Sequence, residues 1–456
     1  MKKLLLLLFF LIALSSYGYA DTAISDCSVA LNSANTRYYL TSSFSTGTIA
    51  SCLNVSAANV ILDGTGYSIN GTGATTLISL KSGTSNFTGY NITATDILTT
   101  GISISSRTGQ FYNSNFSSSA TTLGGIVTIT SAAGQILDGG SITSTATGTS
   151  YLVYIGGGTG MYVQNMILSS TKRGFDIEGA GSGSYPIINN VTSNTAGSFL
   201  YSGLSTWNNT YVNNSAISIT AGSIAQSARN TAANIGTVTI RNSVLNATGL
   251  TIFTTALANA ALILINTTAT YTNEVSIATT SNGSWYSRRW YVDANAKNST
   301  GSNLANVNIT IKDVNSNTVY NGLTDGSGNI PQQTLEAYNI TVGSNTSGTY
   351  TYLSNYTIQG VLDGYATQTV SFNLTDNTQT NLNMTESTGS CTYTSGNWII
   401  QASDGCNISV STNLFGNNIT FNGTGTTRIN TTITNFSTCT AQNGANIIVN
   451  SGGILG

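Results

Sequence analysis

The 456 residues include only 7% charged side chains, 14 basic against 16 acidic, and no histidine. That excludes a basic nucleic-acid surface, and it removes Ser-His-Asp catalysis, Cys-His catalysis and histidine metal sites. A hydrophobic content of 40% argues for a packed core against disorder, and the wealth of Ser, Thr, Asn and Gly with only two prolines argues for β-structure.

Lys2 and Lys3, an apolar run from Leu4 to Leu14 and the small residues Gly18 and Ala20 read as a secretory leader over residues 1–20. The run is short for a bilayer, and no later stretch reaches the roughly 18 apolar residues of a spanning helix. The chain is expected to be secreted or at the cell surface, with no transmembrane segment once the leader is removed. Without the two leader lysines it has 12 basic residues against 16 acidic ones.

Residues 21–285 carry a repeat of about 25 residues. The segments ILDG, FTGY, FYNS, LDGG, VQNM, INNV, VNNS, IRNS and INTT recur with a Gly, Asn or Thr mark at Gly64, Gly89, Asn113, Gly139, Asn165, Asn190, Asn214, Asn242 and Thr267. Two residues before each mark stands an apolar residue, from Leu62 to Ile265. A second apolar series runs through Leu77, Ile102, Ile126, Leu152, Phe175, Phe199, Ile224, Leu250 and Val275. Two series in register require at least two strands per turn. A unit of this size buries its apolar face only by stacking on its neighbours. The expected fold is all-β, a single-stranded right-handed parallel β-helix of nine to ten turns. Its marks would be corners needing positive φ, with asparagines forming an inward hydrogen-bonded ladder. The fixed LxxLxL pattern of a leucine-rich repeat is missing.

The rhythm stops at SWYSRRWYVDANAK. Residues 286–388 then read as a β-sandwich through VNITIKDV, NTVYNGLT, YNITVG, NYTIQGVLDGY and TVSFNLT. From Cys391 the opening pattern returns: CSVALNSANTRYYL and CLNVSAANVILDGTGYSING are echoed by CTYTSGNWII and CNISVSTNLFGNNITFNGTGTTRIN. Residues 389–456 are expected to form a short second β-helical segment of about two turns. TDGSGNI and GVLDGYATQTV resemble the carboxypeptidase-regulatory-like, transthyretin-like sandwich. The whole layout resembles right-handed β-helix surface glycoproteins of archaeal type with a pectate-lyase-like stack, a resemblance that is architectural and carries no activity with it.

Cys27 and Cys52 lie one turn apart, and Cys391 with Cys406 is the matching pair in the restart, so secretion predicts two disulfides. Cys439 is left over, as an intermolecular link or a free thiol. Asn-x-Ser/Thr sequons recur, among them Asn54, Asn86, Asn115, Asn208, Asn246, Asn298, Asn355, Asn383 and Asn422. Glycans there would solubilise a surface with so few charges. Asn190 is also a sequon, and as a ladder asparagine it is expected to be unmodified.

The one charged cluster is KRGFDIEG, with Lys172, Arg173, Asp176 and Glu178. The apolar series sets Val153 and Leu200 beside Asp176, and Ile155 and Ser202 beside Glu178. Neither acid then has a carboxylate neighbour, and a solvated charge patch is the expectation. Tyr162 and Tyr211 fall two turns apart with Ile187 between them. Together with Trp207 they are candidates for stacking on sugar rings, against the plainer expectation that they fill the core or corners. No metal and no cofactor are expected. The function expected on these grounds is a secreted, non-catalytic structural or adhesion glycoprotein, not an enzyme, with extracellular glycans or other surface proteins as partners. One alternative is a carbohydrate-active β-helix enzyme, a polysaccharide lyase or glycoside hydrolase using Asp176 and Glu178. The other is a self-assembling surface-layer or filament subunit joined through helix ends or Cys439.

Overall fold

The computed structural model describes residues 18–456 apart from 74–75, 82–85, 106–107, 120–124, 131, 147–150, 157, 178–185, 203–208, 228–235, 254–259, 278–283, 342–347, 363–364 and 387–389. Most of the expected leader therefore lies outside the described residues. These are arranged almost wholly as β-strands, with one 3-10 turn at Ala402–Asp404, and contain no helix long and apolar enough to cross a membrane. The chain divides into two units, Met1–Arg288 with Asn339–Thr351, and Arg289–Tyr338 with Tyr352–Gly456.

The first unit is a parallel β-helix whose strands stack in three columns. The inward row of the first column is Tyr38, Leu62, Gly89, Phe111, Leu137, Val163, Ile188, Val212, Ile240 and Leu264. The second column aligns Ile69, Ala94, Phe116, Ile142, Leu168, Ser193, Ile217 and Leu245. The third aligns Leu53, Ile78, Ile102, Val127, Val153, Phe175, Leu200 and Ala225. These residues are buried, so one apolar core runs through the stack while each strand's backbone bonds to the turns on either side. The strand Ala20–Ile24 pairs with Thr36–Leu40 as a further rung, which makes the first column slightly longer than nine to ten turns.

The corner between the first and second columns explains why the repeat is visible. Two residues after the first-column row stand Asn91, Asn113, Gly139, Asn165, Asn190, Asn214, Asn242 and Asn266, all with φ between 44° and 75°. Asn and Gly tolerate that left-handed conformation best. The amide side chains bond from turn to turn: Asn190 donates to Asn165 Oδ1 at 2.7 Å, and Asn266 to Asn242 Oδ1 at 2.8 Å. The ladder therefore forms, but on the exposed face of the corner and not inward. A hydroxyl follows at several turns. Ser215 Oγ accepts the Val191 N–H at 3.1 Å, and Ser243 Oγ accepts that of Ser215 at 3.1 Å, so the buried side of the corner is satisfied as well. Three expected corner positions are corrected. Gly89 lies in the inward row and its turn's corner residue is Asn91; Thr267 lies one residue past Asn266; and the turn at Gly64 is two residues longer, with its left-handed residues at Thr65 and Gly66.

Both expected disulfides form. Cys27–Cys52 has a Cα–Cα distance of 4.7 Å and Cys391–Cys406 one of 5.2 Å, while Cys439 is an exposed free thiol.

In the second unit, Thr318–Leu323, Asn308–Lys312, Tyr356–Val361 and Gln368–Phe372 form an antiparallel sheet in that order. A parallel pair, Val292–Asn298 with Thr378–Met384, shares its core of Val292, Ile309, Ile311, Tyr356, Ile358 and Leu382. Beyond Ser390 the parallel pattern returns in three short columns, each of three rungs, which exceeds the two turns expected. Trp398, Ile400, Ile408, Ile419, Phe421 and Ile429 fill its core.

Candidate functional site

Along each strand of the third column the residue between two inward side chains faces away from the core. Seven successive rungs give the outward row Asn54, Ser79, Ser103, Thr128, Tyr154, Asp176 and Tyr201. The other six members are half-buried, whereas Asp176, the only acid among them, is 1% exposed. A carboxylate out of water is costly unless neighbouring groups receive it, so its surroundings matter.

Those surroundings are aromatic and cationic. Tyr154 and Tyr201 flank Asp176 on the rungs to either side. Arg173, three residues earlier on the same strand, places its guanidinium carbon 3.5 Å from the centroid of the Tyr201 ring, a close cation–π contact. Tyr151 pairs with Arg173 in register and stacks on Tyr154 at 5.8 Å and 29°. The strand Arg173–Ile177 and its two neighbours thus assemble three tyrosines, one arginine and one buried carboxylate on a single face. Such a face offers flat rings for the apolar sides of sugars, with a base or acid and a cation beside them.

The register expected around Asp176 is corrected by one residue. Val153 and Leu200 pair with Phe175, and Asp176 pairs with Tyr154 and Tyr201. The solvated charge patch is corrected too, since Asp176 is buried. Glu178 lies outside the described residues, so the structure does not place the second acid. Residue patterning finds Arg173 within the charged cluster but does not bring Tyr154 and Tyr201 to Asp176. The signal that does so is Gly174, which occupies the place of the apolar series on its turn and shifts that series by one.

Tyr162 and Tyr211 stand in one row of the first column with Ile187 between them, as the spacing predicts. They are 42% and 40% exposed, so they fill neither core nor corner. Two rungs separate them by about 9.6 Å. They belong to a different column from Asp176, and the structure does not bring the two sets together. Trp207 lies outside the described residues. Among the described residues no group of three or more His, Cys, Asp and Glu side chains is placed to hold a metal ion.

No protein-family model matches the chain, and no curated protein matches it in sequence. Among solved structures it is similar to tailspike proteins of E. coli bacteriophage HK620. One is a mutant in complex with pentasaccharide, at 11% identity and a TM-score of 0.36 over 72% of this chain and 74% of that one. Another is a double mutant, at 11% identity and a TM-score of 0.33 over 78% and 86%. A third is the tailspike in complex with pentasaccharide, at 11% identity and a TM-score of 0.24 over 78% and 86%. The likeness is one of architecture.

The expectation of a non-catalytic scaffold is corrected at this point, and the expectation that the chain is not an enzyme falls with it. With Val153 and Leu200 as neighbours Asp176 would be a solitary surface charge, but its neighbours are Tyr154 and Tyr201.

Proposed function

We propose that the chain is a secreted carbohydrate-active β-helix protein that binds a polysaccharide on the outer face of its third column and cleaves it with Asp176 as the acid–base group. The observation that carries this reading is the burial of Asp176, 1% exposed, between Tyr154 and Tyr201 with Arg173 on the same strand. Tyr154 and Tyr201 supply ring faces for two sugar units on either side of the carboxylate, and Arg173 supplies positive charge against an acidic sugar. In a lyase reaction Asp176 takes the C5 proton beside the uronate carboxyl, Arg173 offsets the charge that develops there, and the C4–C5 double bond forms as the C4–O bond breaks, the departing sugar oxygen taking a proton from water. In a hydrolase reaction a second carboxylate is required, and Glu178, two residues on, is the candidate for it.

The test is a screen of purified protein against neutral and acidic polysaccharides, followed by ultraviolet absorbance for unsaturated products and a reducing-end assay. Asp176→Asn is expected to lower cleavage by about 10²-fold or more, and Arg173→Met to weaken it on acidic chains alone. Cleavage unchanged in Asp176→Asn, or no cleavage of any polysaccharide, overturns the assignment.

The setting proposed with this activity is a glycosylated surface protein of the archaeal type that the layout resembles, with the Arg289–Thr385 region as a sandwich module. Asn115, Asn246, Asn355 and Asn383 are exposed, which supports modification at these sequons; Asn54, Asn298 and Asn422 are half-buried, the amide nitrogens of Asn86 and Asn422 donate to Asn59 and Gln401, and Asn208 lies outside the described residues. Extracellular glycans are the partners. Homo-assembly through helix ends or the exposed thiol of Cys439 belongs to the same proposal, and a dimer band on non-reducing electrophoresis that vanishes in Cys439→Ser is its covalent test.

A further inference from the structure

The start of the short β-helix in the second unit holds a cavity of 140 Å³ whose lining includes Thr392, Tyr393, Trp398, Asn407, Ser409 and Thr412 and no charged residue. Tyr393 and Trp398 form an aromatic corner, their ring centroids 5.7 Å apart at 49°. Their polar tips are turned to the protein: Trp398 Nε1 donates to the Ser390 carbonyl at 2.6 Å, and Tyr393 Oη accepts from Asn417 Nδ2 at 3.2 Å. Trp398 is packed in the core with one edge on the cavity, and the half-buried Tyr393 in front of it offers ring surface. The Cys391–Cys406 disulfide, whose first cysteine also lines the cavity, ties this corner to the adjacent turn and holds the rings in place.

The polar part of the lining has the opposite character. The hydroxyls of Thr392 and Ser409, both at exposed positions, have no hydrogen-bond partner among the described residues. Asn407 is engaged through Oδ1, which accepts from Asn430, while its Nδ2 has no acceptor among the described residues. Uncharged donors and acceptors set around aromatic faces complement a ring with one apolar side and a rim of hydroxyls. The volume is well below the roughly 300–1,000 Å³ of sites for drug-sized ligands, and it suits one six-membered ring.

We infer that this cavity is a binding site for a single neutral pyranose, a terminal unit of a glycan, with Tyr393, backed by the buried Trp398, as its platform and Thr392, Asn407 and Ser409 as its hydroxyl readers. The inference stands without the cleavage reading of Asp176. Saturation-transfer difference NMR on the full chain, with methyl glycosides of glucose, galactose, mannose and N-acetylglucosamine at millimolar concentration, tests it. At least one glycoside is expected to receive saturation on its ring protons. Ser409→Tyr, which fills the cavity, is expected to abolish the signal, and the near-isosteric Asn407→Asp, which removes the donors, to weaken binding about tenfold. Asp176→Asn is expected to leave it unchanged. Thermal melts of both cavity variants establish that they fold, and Asn407→Asp decides the matter if Ser409→Tyr does not. Absence of transfer to every glycoside, persistence of the signal in the folded cavity variants, or its loss in Asp176→Asn overturns the inference.

Discussion

Asn190 illustrates how single residues hold the first unit's geometry. Its φ of 51° is one that Cβ-bearing residues adopt at a cost of roughly 1–2 kcal/mol, and the amide that donates to Asn165 offsets part of it. Asn190→Ala is expected to lose about 1–2 kcal/mol, read as a lower urea midpoint, while Asn190→Gly keeps the conformation and loses only the ladder bond. Equal midpoints for the two variants would show that the left-handed backbone costs little at this corner. The same amide nitrogen is the atom a glycan would occupy, so peptide mapping is expected to find Asn190 unmodified.

At the scale of the strand, the third column shows what patterning reads and what it misses. Its strands bury two successive residues before alternation begins, as in Thr76–Leu80, where Leu77, Ile78 and Leu80 are all buried. Two apolar rows therefore run side by side, and an apolar series can step from one to the other unnoticed. It does so at Gly101 and Gly174, where the first row has no side chain and the next apolar residues are Ile102 and Phe175. A slip of one residue exchanges every outward neighbour, which is why Tyr154 and Tyr201 escape residue patterning. The column architecture, both disulfides and the Tyr162, Ile187, Tyr211 row were legible because long runs of turns enforce them. The register at one glycine was not, since it depends on a close approach: a Cβ on Gly174 would lie 2.8 Å from the Phe199 carbonyl oxygen. Gly174→Ala is expected to cost about 1–3 kcal/mol through overpacking and to reduce cleavage by displacing Arg173 and Asp176. A variant as stable and as active as the parent would place the strand elsewhere. The amino-terminal turn is held differently, and Cys27→Ser with Cys52→Ser is expected to lower stability by about 3 kcal/mol in a chemical melt.

For the molecule as a whole, histidine is absent and the buried tyrosines govern the response to alkaline pH. Burial raises the Tyr356 hydroxyl above its ordinary value in the second unit, with the Glu336 and Asp313 charges adding to the effect. In the first unit burial holds Tyr286 well above its ordinary value, with Glu274 adding to the shift. Both folded states favour the neutral phenol. Their contribution is fully present below about pH 10, where unfolded tyrosine titrates, and is lost as pH rises from there through the folded values. Melting temperatures are expected to be flat from pH 7 to 9 and to fall above pH 10, with a shallower fall in Tyr356→Phe. A steep loss below pH 9 would point to another group.

The asparagine corner has one more consequence. From Gly89 to Leu264 the first-column row is followed by the second-column row after five residues on every turn. The third-column row, by contrast, is followed by the next first-column residue after nine residues at Ile102 and fifteen at Ala225. Over these turns the variation in repeat length is thus confined to the two connections that reach and leave the third column, beside Asp176 and its tyrosines. The amide corner acts as a fixed spine, and the opposite side is free to lengthen. A lineage of such chains can acquire new ligands by insertion on that side alone, and a foreign peptide grafted there would be displayed without disturbing the stack.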